Sequence, residues 1–385
     1  MNASFFAPCP RGLEQTLADE LLELGAAGAQ RADAGVNFSG PFTLCYQINL
    51  LSRIASRVLW QVGKAAYKSE EDVYRFALQQ AWSDWFDVTR TIAVSVNARR
   101  CPLRSLDFVT LRIKDAVCDH FRIVVNKRPS VDTREPDIRL FAFLDESMVT
   151  LYVDTSGEAL FRRGQRDRAG EAPLKKNLAA GILRLAGWRP GVPLLDPMCG
   201  GGTFLLEAAQ ISLAIAPGAK RSFGFEKLRN FAAEDWTMLQ RSETAKQRTP
   251  TALPLFGSDL YGDVLSGARN NAAALGLSQA IQFKQVNILE VSPPAENGIF
   301  LTNPPYGVRI GEQEELAQLY PKLGDLLKRK FAGWTAYFFT ADLRLAKLIR
   351  LNPSRRTPLF NGALECRLFE YKMIAGSARA PKPGE

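Results

Sequence analysis

Between the apolar run Gly298–Leu301 and a charged helical stretch from Glu314 lies the hexapeptide Thr302-Asn303-Pro304-Pro305-Tyr306-Gly307. It restricts the fold more than any other stretch. The run before it reads as a short buried strand entering a turn. Two consecutive prolines cannot donate from the backbone and have a fixed φ, so the carbonyls here are held in place and point outward. Asn303 adds a side-chain acceptor and Tyr306 a flat aromatic face. Together these groups suit gripping a planar base by its exocyclic amine, whose lone pair is conjugated with the ring and poorly nucleophilic. The Asn303 side-chain oxygen and the Pro304 carbonyl could accept both N–H protons and draw the nitrogen toward tetrahedral geometry. Its lone pair would then face an electrophile while Tyr306 stacks on the base. The plain alternative is a Pro-rich turn after a strand.

About a hundred residues earlier, a short strand (193–195) runs into Asp196-Pro197-Met198-Cys199-Gly200-Gly201-Gly202-Thr203-Phe204, with a helix over 205–215 behind it. Strand, tight glycine turn and helix form a nucleotide-binding turn of a doubly wound sheet. The pattern is neither Gly-x-Gly-x-x-Gly nor a P-loop, because no Lys-Ser/Thr follows. The glycines let a ligand approach the backbone closely, and Asp196 can accept from an ammonium group. A cationic, amino-acid-bearing ligand therefore fits better than a pyrophosphate. The next strand, 255–260, ends in Asp259, where ribose hydroxyls would be held. Further elements are a helix over 262–276, a strand over 281–286 tipped by Asn287 and Ile288, a helix over 314–330, a strand over 335–340 and a helix over 343–351. Last comes a hairpin of 356–360 and 364–373 about Asn361-Gly362. Residues 216–254 lack clean periodicity and read as an insertion.

The first 156 residues alternate strands and helices in an α+β pattern. Ser69-Glu-Glu-Asp72 matches a helix capping box, and 138–144 with 148–154 reads as a hairpin. Residues 157–173 are glycine- and arginine-rich and end in proline. Arg162, Arg163, Arg166 and Arg168 there could follow a nucleic-acid backbone or merely solvate a hinge. The net charge of +9 suits a polyanionic partner. Its distribution is uneven: residues 1–156 carry 18 Lys/Arg and 19 Asp/Glu, and the remainder 31 and 21. Candidate phosphate contacts in the first part are therefore local, with Arg99 and Arg100 the foremost. Six scattered cysteines and a single histidine, His120, argue against a zinc site or a Cys-His pair and for reduced thiols. No metal site is expected. No apolar run is long enough to span a membrane, and the N-terminus does not read as a signal peptide, so a cytoplasmic protein is expected.

With these residues in place the chain resembles class I S-adenosylmethionine-dependent methyltransferases carrying an N-terminal THUMP domain. Within them it is similar to the bacterial large-subunit (23S) rRNA guanine-N2 methyltransferases. The likeness rests on Arg162-Arg163-Gly-x-Arg166, Ala172-Pro-Leu174-Lys175, Asp196 to Thr203 and Asn303 to Gly307. It implies a Rossmann-like α/β sheet ending in an antiparallel hairpin, preceded by ferredoxin-like and THUMP α+β parts. The implied divisions are a ferredoxin-like part at 1–55, THUMP at 56–156, a linker at 157–173, a methyltransferase domain at 174–376 that folds by itself, and a disordered tail at 377–385. The cofactor would be S-adenosylmethionine. Asp196, Pro197, Met198, Cys199, Gly200, Gly202, Thr203 and Phe204 would hold its methionine portion and Asp259 with Leu260 its ribose. Asn287 and Ile288 would hold its adenine, and Leu174 would border the same pocket. Asn303, Pro304, Pro305 and Tyr306 would hold a flipped guanine. Gly201 stands where serine is usual, and Asn287 where aspartate is commoner. Some relatives carry a second methyltransferase domain that this chain would lack.

The implied activity is methylation of a guanosine N2 amine in 23S rRNA, as part of rRNA processing, by a protein expected to be a monomer. Alternatives are a tRNA guanine-N2, DNA adenine-N6 or protein glutamine methyltransferase, and a non-catalytic RNA-binding ribosome-assembly factor.

Overall fold

The computed structural model describes residues 2–163, 174–305 and 312–374, together with the backbone of a helix beginning at Glu312. Tyr306, Arg166, Arg168 and the expected tail at 377–385 lie outside the described residues.

Two compact units emerge, and neither is continuous in sequence. The first comprises residues 1–9, 14–169 and 216–245, the second residues 10–13, 170–215 and 246–385. The sequence reading divides the chain after residue 55 and again at the linker, 157–173, with every residue before the linker on the N-terminal side. Instead, four residues of the N-terminal region join the second unit and thirty of the insertion join the first.

The first unit is built on a seven-stranded sheet. In chain order its strands are β1 (Ala3–Pro8), β2 (Ala27–Ala32), β3 (Gly35–Gly40), β4 (Leu59–Ala66), β5 (Ile92–Ala98), β6 (Ile138–Leu144) and β7 (Met148–Asp154). Their spatial order is β2-β3-β1-β4-β7-β6-β5, antiparallel except for β5 beside β6. The capping box forms as expected. The Ser69 hydroxyl accepts from Asp72 N at 3.3 Å and the Asp72 carboxylate accepts from Ser69 N at 3.0 Å, opening the helix Glu70–Leu78. His120 is a packing residue. Its Nδ1 lies 3.2 Å from the Leu78 carbonyl, which can only accept, so Nε2 is left to accept from the Ser83 hydroxyl at 3.1 Å.

The insertion closes this unit. Phe223, Phe225 and Trp236 pack with Tyr46 in an aromatic cluster, Tyr46 and Phe225 lying 4.4 Å apart between ring centroids. Phe225 N donates to the Thr155 carbonyl at 2.9 Å, which fixes the insertion against the end of β7. The insertion also holds a helix, Ala233–Ala245, that the sequence pattern did not suggest. Trp236 is the one residue of its thirteen that is buried, so no apolar stripe marks it.

The second unit carries β8 (Leu194–Asp196), β9 (Leu255–Asp259), β10 (Gln282–Gln285), β11 (Gly298–Thr302), β12 (Trp334–Thr340), β13 (Arg355–Asn361) and β14 (Leu364–Lys372). The order is β10-β9-β8-β11-β12-β14-β13. The first five are parallel, and β14 runs antiparallel between β12 and β13. This is the expected α/β sheet finished by a hairpin. The turn falls on Gly362-Ala363, one residue later than the Asn-Gly reading, because Asn361 still pairs with Leu364. Gly362 takes φ +68°, as the first central residue of a tight hairpin must. Phe300, Phe331, Trp334, Phe338 and Tyr371 form the core on one face of this sheet. Residues 10–13 seal against the same unit. Leu13 presses on Gly181, where a Cβ would come within 2.3 Å of it, and the Arg11 guanidinium sits 4.6 Å over the Phe360 ring.

Candidate active site

The chain winds outward from β8 to β9 and β10, then returns to the other side of β8 to form β11. The carboxyl ends of β8 and β11 therefore flank the point where the strand order reverses, which is where open α/β sheets bind ligands. Asp196 ends β8 and Asn303 follows β11, so both sequence signals arrive at this crevice.

The turn after β8 is shaped by two glycines. Gly200 has φ +52° and Gly202, the residue capping the helix Thr203–Ser212, has φ +80°; side chains are disfavoured at both. Gly201 has an ordinary φ, and a Cβ there would touch Asn271 Nδ2 at 3.5 Å, so a serine would be accommodated. Gly200 N donates to Asp259 Oδ2 at 3.1 Å, which joins the tip of β9 to the turn. Cys199 N donates to the Ser258 carbonyl at 2.9 Å, making a second tie. Pro197, Cys199, Gly202 and Phe204 are buried, while Met198 and Thr203 are half-buried.

Asp196 is 2% exposed. Burial pushes its carboxyl up to about 7, helped by the nearby Asp259 charge and opposed by hydrogen bonds from Thr302 and from Met198 N. Asp259 remains half-exposed and also accepts from Tyr261 N at 3.2 Å. Leu260 and Tyr261, 50% and 63% exposed, set an apolar lip beside it. Asn287 Oδ1 already accepts from Leu289 N at 3.0 Å, leaving one lone pair for a ligand. Ile288 is buried next to it. Leu174 is half-buried two residues ahead of the helix Lys176–Leu185.

Asn303 Oδ1 is buried and has no hydrogen-bond partner among the described residues. A buried amide oxygen left without a donor costs roughly 1–3 kcal/mol, so its persistence at the mouth of the crevice fits an acceptor reserved for a ligand N–H. Pro304 beside it is buried and Pro305 exposed.

The arginines divide differently. Arg99 pairs with Asp33 at 2.6 Å and Arg100 lies 3.6 Å from Glu146, both on the surface. Arg163 donates to the Arg53 carbonyl at 3.2 Å. Arg162 lies 3.5 Å from Glu158 and lines a cavity of about 1250 Å³ within the first unit. Seven basic and three acidic side chains border it. Arg57, Arg134 and Arg139 come from the N-terminal region, and Lys220, Arg221 and Lys227 from the insertion. Arg221 donates to the carbonyls of Ala159, Glu158 and Ser156 at 2.9, 2.6 and 3.3 Å, anchoring the start of the linker. Arg57 binds buried Asp154, and Lys227 binds Asp137 at 2.7 Å. Lys220 and Arg134 are exposed at the rim. Sequence reading missed this cluster because its basic residues are spread from Arg57 to Lys227 with long stretches between them; only the basic balance of the later chain hinted at it.

A parallel sheet with a switch-point crevice, a glycine turn bearing a buried carboxylate and a second acid at the next strand defines a class I methyltransferase. Among solved structures, a methyltransferase complexed with S-adenosylhomocysteine has the same fold at TM-score 0.88, with 26% identity over 97% of this chain and 98% of that one. The chain belongs to the family described as RMKL-like, methyltransferase domain, which its residues 163–370 match. Residues 67–154 match the THUMP domain and residues 4–59 the RlmL ferredoxin-like domain. A Synechocystis protein named as an RNA methyltransferase is 39% identical over 370 residues, 96% of each chain. The ribosomal RNA large subunit methyltransferase K/L of Shewanella sp. strain MR-4 is 39% identical over 387 residues. That match covers 99% of this chain but 54% of the relative, so the chain spans about half its length. The cofactor of this family is S-adenosylmethionine, and the residues at the crevice fit it: a glycine cradle, carboxylates for an ammonium and a ribose, and an apolar lip.

Proposed function

We propose that this chain methylates the exocyclic N2 amine of a guanosine in 23S rRNA. Asn303 Oδ1, buried at the switch-point crevice with no hydrogen-bond partner among the described residues, carries the amine part of this reading. The guanine and the rRNA rest on the family resemblance and on the names of the K/L relatives.

S-adenosylmethionine supplies an electrophilic methyl group. The protein makes the amine a nucleophile: Asn303 Oδ1 and the Pro304 carbonyl accept its two N–H bonds and localise the lone pair on nitrogen. Tyr306 stacks on the flipped base, which must leave its RNA fold to reach the crevice. After transfer the amine is strongly acidic and its proton passes to water, so no side-chain base is required. RNA is held by the cationic cavity of the first unit, where Lys220, Arg134 and Arg162 meet phosphates. The near-neutral charge of residues 1–156 hides this, because four of the cavity's seven basic side chains, Arg162, Lys220, Arg221 and Lys227, lie after residue 156.

The test is to incubate the protein with labelled S-adenosylmethionine and unmodified ribosomal RNA or tRNA, then digest the products to nucleosides. N2-methylguanosine from 23S rRNA is expected. Label in N6-methyladenosine would overturn the base assignment, and label confined to tRNA would overturn the substrate.

A further inference from the structure

The two halves of the crevice meet through one side chain. Thr302, the last residue of β11, is fully buried, and its hydroxyl donates to Asp196 Oδ1 at 2.9 Å. The same carboxylate oxygen accepts from Met198 N at 3.3 Å. The next residue along the chain is Asn303, whose side-chain Oδ1 is the buried acceptor described above. One hydrogen bond thus spans from the base of the glycine turn to the residue before the amine-binding turn.

We propose that Thr302 is a positioning residue coupling the two half-sites: its hydroxyl holds the Asp196 carboxylate for the cofactor's ammonium group and, by that bond, fixes where Asn303 is presented. This rests on the reading of Asp196 as the ammonium acceptor. A hydroxyl is required because only a donor stabilises a buried carboxylate; an isosteric methyl leaves it with one backbone N–H.

The charges around Asp196 set the sign of the effect. Asp259 on β9 repels a charge on Asp196, and Cys199 in the turn is buried, its thiol pushed up chiefly by desolvation and further by both acids. Arg269 on the helix Gly262–Ala274 is the cation acting on Cys199. Asp196 thus depends on Thr302 and Met198 N for stabilisation of its ionised form until a cationic ligand arrives. Ligand affinity rises with pH as Asp196 ionises, and losing the hydroxyl moves that rise to higher pH.

The test measures S-adenosylhomocysteine binding by calorimetry between pH 5.5 and 8.5, with turnover on RNA measured in parallel. Thr302→Val is expected to raise the midpoint of the affinity curve by about one pH unit, roughly a tenfold loss of affinity on its acid limb. It also lowers kcat at saturating cofactor and pH 8.5, because Asn303 is no longer held. Thr302→Ser restores both. Asn303→Ala lowers kcat and leaves the midpoint where it was. An unshifted midpoint in Thr302→Val, or an equal shift in Thr302→Ser, overturns the coupling. A wild-type affinity that ignores pH, matched by Asp196→Asn, overturns instead the assignment of Asp196 on which it rests.

Discussion

The cofactor crevice and the cationic cavity are assembled in opposite ways. Each part of the crevice is a strand end and the turn that follows it, so its chemistry is written in short stretches. The cavity draws short pieces from β1, β4, β5, β6, the loop before β6, the start of the linker and the insertion, and no stretch contributes a recognisable motif. A site that handles an invariant small molecule can be local. A surface proposed to meet a folded polymer is a matter of where distant segments end up.

The sharpest way to break this comparison is to separate the regions. A fragment beginning at Leu174 reads as an independent domain by length. The structure argues otherwise, because that fragment keeps Phe223, Phe225 and Trp236 without Tyr46 and loses Leu13 from its place against Gly181. We expect it to aggregate; light scattering and a thermal melt decide, and a monomeric fragment with a cooperative melt would show that the interleaving is dispensable.

Next in size is Asn303→Ala, which should cut turnover by about 10²-fold or more while cofactor affinity stays within a few-fold, as for one well-aimed polar group. Turnover near wild type would remove the amine-holding role. Asp259→Ala should do the converse. Losing charge-assisted bonds to ribose hydroxyls costs about 1.5–3 kcal/mol of cofactor affinity. Calorimetry showing unchanged affinity would mean that the tip of β9 holds something else. The smallest effect belongs to the cavity rim. Lys220→Ala combined with Arg134→Ala should weaken RNA binding and reduce the log–log salt slope by about 0.7–0.9 per phosphate contact. An unaltered slope would leave the cavity without a role in RNA binding, whereas the crevice variants should not touch that slope.

Legibility followed the same divide. The β8 and β11 turns were readable because prolines and glycines impose backbone geometry wherever they occur, and the hairpin was misplaced by one residue only. The strand Ala27–Ala32 escaped notice because Ala-Gly-Ala shows no alternation, and four of its six residues are exposed. The Ala233–Ala245 helix escaped for want of an apolar stripe. Arg99 and Arg100 drew attention as a doublet, yet each faces a carboxylate, from Asp33 and Glu146, that sequence separation concealed. Arg221 was unremarkable in sequence and proves to fasten the linker's first carbonyls.

The threading of residues 216–245 back into the first unit also sets a timetable for synthesis. A ribosome that has finished residue 169 has delivered the whole of the N-terminal sheet, but not the aromatic lid that Tyr46 packs against. At about 5–20 residues per second, the missing segment is complete roughly 4–15 s later. Over that interval Tyr46 and the neighbouring apolar surface of the nascent chain stay open to water or to a chaperone. The N-terminal unit, although made first, is sealed only after the glycine turn and helix of its neighbour have been translated.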